Sequence, residues 1–402
     1  MKPIIIIGAG LAGYSVAREF RKLDKLTPLM IMTADDGDFY SKPMLSNAFA
    51  QNKLAEQLIS QNATQMAAQL NASIMTGNRV QAIDTANKSV ATDFGIFEYD
   101  KLVMAVGAQP IRVPLDGDAA DQVLSINHIS DYIAFRTRVT SLQHKGPVHI
   151  AILGAGLVGC EFANDLIAAG HAVTLIDPNQ LPLAALAAPA LSQGLQAALL
   201  AQGIALRLGT TAARIDRSVD AVQVTLADGT TFDADIVLSA VGLRADLSLE
   251  QAAQLSTGRG IQVDATGCTS APNVYALGDC TEYTMPGDGG MRTLPYIAPL
   301  LNAARAIART LTGVPTAIDL NAAPVIVKTP CFPLALIAPP IHAHATGYWQ
   351  SESANENIIC RFFDENNVML GFGAAPHEAG LRKKLLAELN TLTSSKAVLV
   401  AI

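Results

Sequence analysis

Ile4-Ile5-Ile6-Ile7-Gly8-Ala9-Gly10-Leu11-Ala12-Gly13 opens the chain as an unbroken apolar run that turns through glycines into a helical pattern. Four successive β-branched residues with no polar alternation read as a strand buried on both faces, the signature of a parallel sheet. Gly8 permits the tight turn, Gly10 lets the backbone approach a pyrophosphate, and Gly13 allows the helix to pack closely on the strand. Ala9, Leu11 and Ala12 complete the loop, and the amides and dipole at the helix N-terminus favour phosphate charge. In a chain with 30 glycines the pattern alone is weak evidence. It recurs, however, at His149-Ile150-Ala151-Ile152-Leu153-Gly154-Ala155-Gly156-Leu157-Val158-Gly159, again in the order strand, turn, helix. Two cradles imply two dinucleotides, and passing a hydride between them is the simplest chemical reason to hold both in one chain.

A chain of 402 residues, half of them apolar, has material for two or three domains with sizeable cores. Its net charge of −7 argues against a nucleic-acid or acidic-membrane binder. The apolar runs are too short to span a bilayer, and the first residues lack the basic and apolar regions of a secretory signal, so the expectation is a cytoplasmic protein without membrane insertion. Cys160, Cys268, Cys280, Cys331 and Cys360 are odd in number, widely spaced and free of any C-x-x-C. That spacing disfavours a zinc site, an iron–sulfur cluster and a redox-active disulfide, and the expectation for metals is none.

Beyond the first cradle, a helix is expected over about Tyr14 to Leu23 and a second strand over Pro28 to Thr33. An acid at the end of that strand would usually meet the adenosine ribose, but here stand Thr33-Ala34-Asp35-Asp36, so a hydroxyl or an acid displaced by two residues must serve. A strand-like run from Ala72 to Val80 would bring the Val80 backbone near the adenine. Asp100 to Gly107 and Asp235 to Arg244 each follow one cradle and end in a small residue plus glycine, and read as matching exits from two nucleotide units. Pro110 to Pro114 and Leu243 to Leu249 are then hinges flanking an inserted domain. Within the insertion, Asp177 lies 23 residues after Gly154 (177 − 154), the spacing at which an acid accepts the ribose hydroxyls of NAD(H). No Arg or Lys occurs from Pro178 to Leu206, which favours NADH over NADPH.

Three single charges stand out. Lys42, in Tyr40-Ser41-Lys42-Pro43-Met44-Leu45-Ser46, is either a surface lysine at a helix start or a cation beside a flavin ring, where it would stabilise negative charge. Glu161 sits in the first turn of the second cradle helix, where it complements the dipole or lies where flavin and nicotinamide meet. Lys328, before Thr329-Pro330, is either a solvated lysine or one that reaches the flavin. A further run, Thr269 to Cys280, ends a strand in Gly278-Asp279, whose acid would bond the ribityl chain of a flavin. The alanine-rich helix after Pro295 would point its N-terminus at the flavin pyrimidine. From Asp319 the pattern changes to short strands and a closing helix from about His377 to Leu392, a small third domain.

With these residues assembled, the chain resembles the FAD-dependent pyridine nucleotide oxidoreductases over essentially its whole length. Within them it is most similar to the rubredoxin–NAD(+) reductases of bacterial alkane hydroxylation. That narrower likeness rests on Thr33 to Gly37, Tyr40 to Ser46, Pro110 to Pro114, Gly159 to Leu166, Ser239 to Arg244 and Val327 to Pro330. The resemblance implies an α/β chain with two Rossmann-like, glutathione-reductase-like dinucleotide domains and a small C-terminal α+β domain. The boundaries are 1–112 and 247–318 for FAD, 113–246 for NADH, and 319–402 for the last domain. It implies FAD touched by Ala9 to Ala12, Thr33, Ala34, Lys42, Val80, Glu161, Asp279, Ile297 and Lys328. It also implies catalytic parts for Lys42, Glu161 and Lys328, and NADH held at Gly154, Gly156, Gly159 and Asp177. The implied acceptor is rubredoxin, itself usually acidic, with Arg382-Lys383-Lys384 a candidate docking patch and an alkane hydroxylase as the indirect consumer. A ferredoxin reductase of a dioxygenase or P450 system is the close rival, and a non-enzymatic flavoprotein binding module is the distant one. Disulfide reductases of this group carry C-x4-C near the flavin, and this chain has no cysteine there, so no thiol relay is expected.

Overall fold

The computed structural model describes residues 1–285, 289–354 and 357–391. Its first sheet has five parallel strands in the order Val274–Ala276, Lys101–Met104, Ile4–Ile7, Leu29–Met32, Ser73–Met75. Ile4 to Ile7 occupies the centre and is buried throughout, as an apolar run without alternation requires. The second sheet repeats this order with Leu124–Ser125, Ile236–Ser239, His149–Leu153, Ala172–Asp177 and Ala205–Leu208, again all parallel. Each unit also carries a three-stranded antiparallel meander, between the third and fourth sheet strands in chain order in the first unit and between the fourth and fifth in the second. These are Val80–Asp84, Ser89–Thr92 and Gly95–Glu98 in the first, and Ala212–Arg217, Val222–Leu226 and Thr231–Ala234 in the second.

The chain leaves the first unit and returns to it along one ribbon, because Gln109–Pro110 pairs antiparallel with Leu243–Arg244. The returning chain adds Val274–Ala276 to the first sheet and the Ile297–Leu311 helix, which packs against the Leu11–Leu23 helix. A third, five-stranded antiparallel sheet has the order Val325–Val327, Leu334–Ile337, Met369–Ala375, Asn357–Phe363, Tyr348–Ala354. One face is capped by the Ala379–Glu388 helix through the fully buried Leu385. Val327, Leu334, Leu336 and Cys360 join Leu191, Leu195 and Leu199 of the second unit in one continuous core. This apolar seam fixes the last sheet beside the second cradle.

Three details differ from the expectations. Ala72 to Val80 is not one strand: Ser73–Met75 ends at a turn where Gly77 takes a φ of +59° and the Asn78 amide donates to the Thr33 carbonyl, 2.8 Å. Val80 then starts a different sheet, since the turn redirects the chain. Both cradle helices begin earlier in their loops than the apolar spacing suggests, at Leu11 and Leu157, directly after Gly10 and Gly156. The closing helix is shorter, Ala379–Glu388, and the expected end at Leu392 lies outside the described residues.

Candidate functional site

The three glycines of each cradle do three different things. A Cβ at Gly8, whose φ is +109°, would lie 2.2 Å from the Ala105 carbonyl oxygen, and one at Gly13 would lie 1.9 Å from the Gly8 oxygen. These two positions admit no side chain because strand, turn and helix touch there. A Cβ at Gly10 would meet nothing within 4 Å. Gly10 therefore faces open space beside the uncapped amides of the first helical turn. The second cradle repeats the arrangement. Gly154 would strike the Ala240 oxygen at 2.7 Å, Gly159 the Gly154 oxygen at 1.8 Å, and Gly156 faces open space before another uncapped helix. A glycine needed for neither turn nor packing, next to free amide donors, fits a phosphate that approaches the backbone. Ala9 is buried beneath the first loop, and Gly278, with a φ of +86°, would place a Cβ 3.0 Å from Ala12. Gly278-Asp279 thus sits on the first turn of the first cradle helix. Ile297 is the first residue of its helix and half exposed.

The strand ends after the cradles differ. Thr33 is buried and its hydroxyl donates to Asp35 Oδ1, while the same oxygen accepts from the Gly37 amide at 3.0 Å. Hydroxyl and displaced acid are therefore one unit, flanked by the exposed Ala34. Val80 packs its side chain into the first core. In the second unit Asp177 accepts from the Ala155 amide of the glycine loop at 2.7 Å, and its other oxygen accepts from the Asn179 amide and Nδ2, each at 2.8 Å. The acid braces its own cradle loop.

Glu161 and Lys328, from distant parts of the chain, pair where the units meet, against the 3-10 turn that Lys42 opens. Lys42 starts the Lys42–Asn47 3-10 helix, and its ammonium donates to Asn127 Oδ1 at 3.3 Å. Burial pulls this lysine below its ordinary pKa, and Asp279, Asp35 and Asp131 oppose that pull. Burial raises the Asp279 carboxyl, and Lys42 opposes in turn. The charge thus stands in a largely desolvated space bounded by carboxylates near the first cradle, a setting in which an electrostatic interaction is strong.

Glu161 is buried, on the face of the Leu157–Ala168 helix turned toward the other two units. Its Oε2 accepts from the Ser46 hydroxyl at 2.6 Å and pairs with Lys328 Nζ at 2.9 Å; its Oε1 accepts from the Lys328 amide at 3.0 Å. Lys328 Nζ also donates to Asn47 Oδ1 at 2.8 Å and to the Pro43 carbonyl. The solvated reading of Lys328 and the simple dipole reading of Glu161 are both replaced by this joint. Four residues along the same helix, Asp165 accepts from the Phe49 and Ala50 amides at 2.7 and 3.1 Å, and Asn164 accepts from the Cys331 amide at 3.1 Å. One helix therefore clamps the turn that carries Lys42 and the loop that carries Lys328. Sequence reasoning did not find Ser46, Asn127, Asn164 or Asp165 as functional residues. Only the i, i+4 pair Glu161 and Asp165 could have signalled two acids on one helix face.

Cys160 is buried and donates to the Ala155 carbonyl, and burial pushes its pKa up. Among the described residues no group of three or more His, Cys, Asp or Glu is placed to hold a metal ion, and no helix is long and apolar enough to cross a membrane.

Two parallel sheets of one topology, each with a phosphate-ready glycine loop, facing a common charged joint, define a two-dinucleotide oxidoreductase. The family model described as pyridine nucleotide-disulphide oxidoreductase matches residues 2–304, and that of a rubredoxin binding C-terminal domain matches residues 317–389. The rubredoxin-NAD(+) reductase of Alcanivorax borkumensis is 40% identical over 97% of this chain and 99% of its own length. That of Acinetobacter baylyi is 39% identical over 97% and 98%. A crystal structure of the covalent putidaredoxin reductase–putidaredoxin complex superposes with a TM-score of 0.86 at 23% identity, covering 97% of this chain and 94% of that one, a likeness of fold. The chain belongs to the pyridine nucleotide-disulphide oxidoreductase family and ends in a rubredoxin binding C-terminal domain.

Proposed function

We propose that this protein is an NADH:rubredoxin oxidoreductase that uses FAD. The observation that carries the reading is the pairing of two phosphate-ready cradles with a rubredoxin binding domain in one chain. When bound, FAD would supply the chemistry that links a two-electron hydride donor, NADH, to a one-electron iron protein. The chain's own residues bind, orient and set charge. Gly8 to Gly13, Thr33, Ala34, Val80, Asp279 and Ile297 hold FAD on the first unit. Gly154, Gly156, Gly159 and Asp177 hold NADH on the second, and no Arg or Lys follows Asp177 in the chain before Arg207, which favours NADH over NADPH. Lys42 supplies a fixed positive charge beside the flavin ring. The Glu161–Lys328 joint keeps the Lys42 turn, the second cradle helix and the last domain in register. Residues 1–112 and 247–318 form the FAD domain, 113–246 the NADH domain and 319–402 the last domain, whose final residues 392–402 lie outside the described structure. Lys383 and Lys384, exposed on the Ala379–Glu388 helix, meet the acidic partner. Supply of a membrane alkane hydroxylase and a cytoplasmic location complete the reading.

Stopped-flow mixing of the NADH-reduced enzyme with rubredoxin and, separately, with a [2Fe–2S] ferredoxin tests it. Fast, saturable bleaching of rubredoxin is expected, and faster reduction of the ferredoxin would overturn the choice of acceptor. Lys42→Met is expected to lower the flavin midpoint potential and slow reduction by NADH. An unchanged potential would remove Lys42 from the site.

A further inference from the structure

Asn127 follows the Leu124–Ser125 strand of the second unit, just before the Ile129–Leu142 helix, and is 4% exposed. It is held on three sides. Its backbone N–H donates to Asp131 Oδ2 at 2.9 Å, its Nδ2 donates to the Ala108 carbonyl at 2.9 Å, and its Oδ1 accepts from Lys42 Nζ at 3.3 Å. The orientation of the side-chain amide follows from its partners. An ammonium offers only donors, so the oxygen faces Lys42; the nitrogen then faces Ala108 and His128 Nε2, 3.2 Å away. His128 Nε2 must accept, which requires a neutral imidazole carrying its proton on Nδ1.

We propose that Asn127 is a positioning residue for Lys42, and that the neutral His128 imidazole fixes the face Asn127 turns toward it. The inference rests on the reading of Lys42 as the charge beside the flavin. It ties that charge, on the first unit, to an anchor supplied by the second. A lysine has three donors on a flexible stem, and fixing it costs rotamer entropy; an acceptor already locked by Ala108 and Asp131 removes most of the remaining freedom. Protonation of His128 replaces its acceptor with a donor. Asn127 must then turn over, presenting Nδ2 to the ammonium and losing the bond to Ala108. Lys42 from the 3-10 turn, Asp35 from the loop after Leu29–Met32, and Asp131 from its own helix all face the imidazole. Burial and Lys42 hold it below the ordinary histidine value, which keeps the acceptor form present at neutral pH.

The flavin midpoint potential of the holoenzyme, measured against pH, tests the proposal together with NMR of the His128 ring nitrogens. Asn127→Ala should lower the potential in the same direction as Lys42→Met and by a smaller shift. The gap between wild type and Lys42→Met should narrow as pH falls through the His128 transition, and His128→Gln should abolish that narrowing. In the wild-type holoenzyme the neutral imidazole should carry its proton on Nδ1. A proton on Nε2 overturns the proposal whether or not the variants fold. A shift in Lys42→Met with none in Asn127→Ala overturns it alone, whereas no shift in either overturns the Lys42 reading as well.

Discussion

The two cradles share strand order, meander and glycine roles, yet their surroundings diverge. In the first, the strand end offers a hydroxyl tied to a displaced acid, and the facing space holds Lys42 and Asp279 under strong desolvation. In the second, Asp177 braces its own loop, and the helix that follows presents Glu161, Asn164 and Asp165 to the neighbouring units. The outer strand of the first sheet, Val274–Ala276, comes from late in the chain, while that of the second, Leu124–Ser125, precedes its cradle. A repeated fold thus supplies a generic grip on phosphate. What is bound, and what is done with it, depends on side chains the repeat leaves free to vary.

The sharpest way to break the comparison is at the glycines. Gly13→Ala and Gly159→Ala each force a Cβ within 2 Å of a backbone oxygen, so each should collapse its own cradle. The first should yield protein without FAD and with a lowered Tm; the second should stay yellow but lose reduction by NADH. Gly10→Ala and Gly156→Ala face open space, and should leave the apo-protein Tm unchanged while weakening FAD and NADH binding respectively, by about 10- to 100-fold for a clash of about 1–3 kcal/mol. Ligand titrations and thermal scans read both. If Gly156→Ala also released FAD, the two cradles would not be independent.

A smaller effect is expected at the joint. Lys328→Met leaves the Glu161 carboxylate buried with only the Ser46 hydroxyl and the Lys328 amide as donors. It should cost about 2 kcal/mol, because a partly exposed lysine is worth less than a fully buried partner. Urea unfolding measures this, and no loss of stability would reduce the pair to an ornament of the interface.

The smallest effect separates the two units by their buried acids. Glu250 is fully buried in the first unit, and burial raises its pKa against the pull of a backbone hydrogen bond. With the folded value above the unfolded one, the folded state holds the proton longer. Stability should therefore fall as pH rises through the window from the ordinary carboxylate value to the raised one, by at most about 1.4 kcal/mol per pH unit. Glu250→Gln should lack that slope. Chemical denaturation across the acid range compares them, and parallel curves would mean that burial leaves the Glu250 carboxyl unshifted.

Both cradles, their order and their phosphate chemistry were legible in the sequence, since a buried parallel strand must be an unbroken apolar run and a tight approach must be a glycine. Spacing placed Asp177 at the end of its strand for the same reason, since strand and helix lengths are set by geometry, while its contacts with the glycine loop appear only in the fold. Lys42, Glu161 and Lys328 were visible as isolated charges, but the residues alone left a solvated role open for both lysines and a dipole role for Glu161. Asn127 gave no signal, because a single amide at the start of a helix carries no periodicity.

The sequence by itself determined that this chain folds two dinucleotide units around short apolar strands, since those signals lie within about ten residues of one another. Only the tertiary structure decided that Ser46, Glu161 and Lys328, separated by 115 and 167 positions, form one joint, and that Asn127 and Lys42 meet across 85. An ion pair or a buried hydrogen bond depends on distance and desolvation, and both are properties of the folded chain that no local pattern encodes.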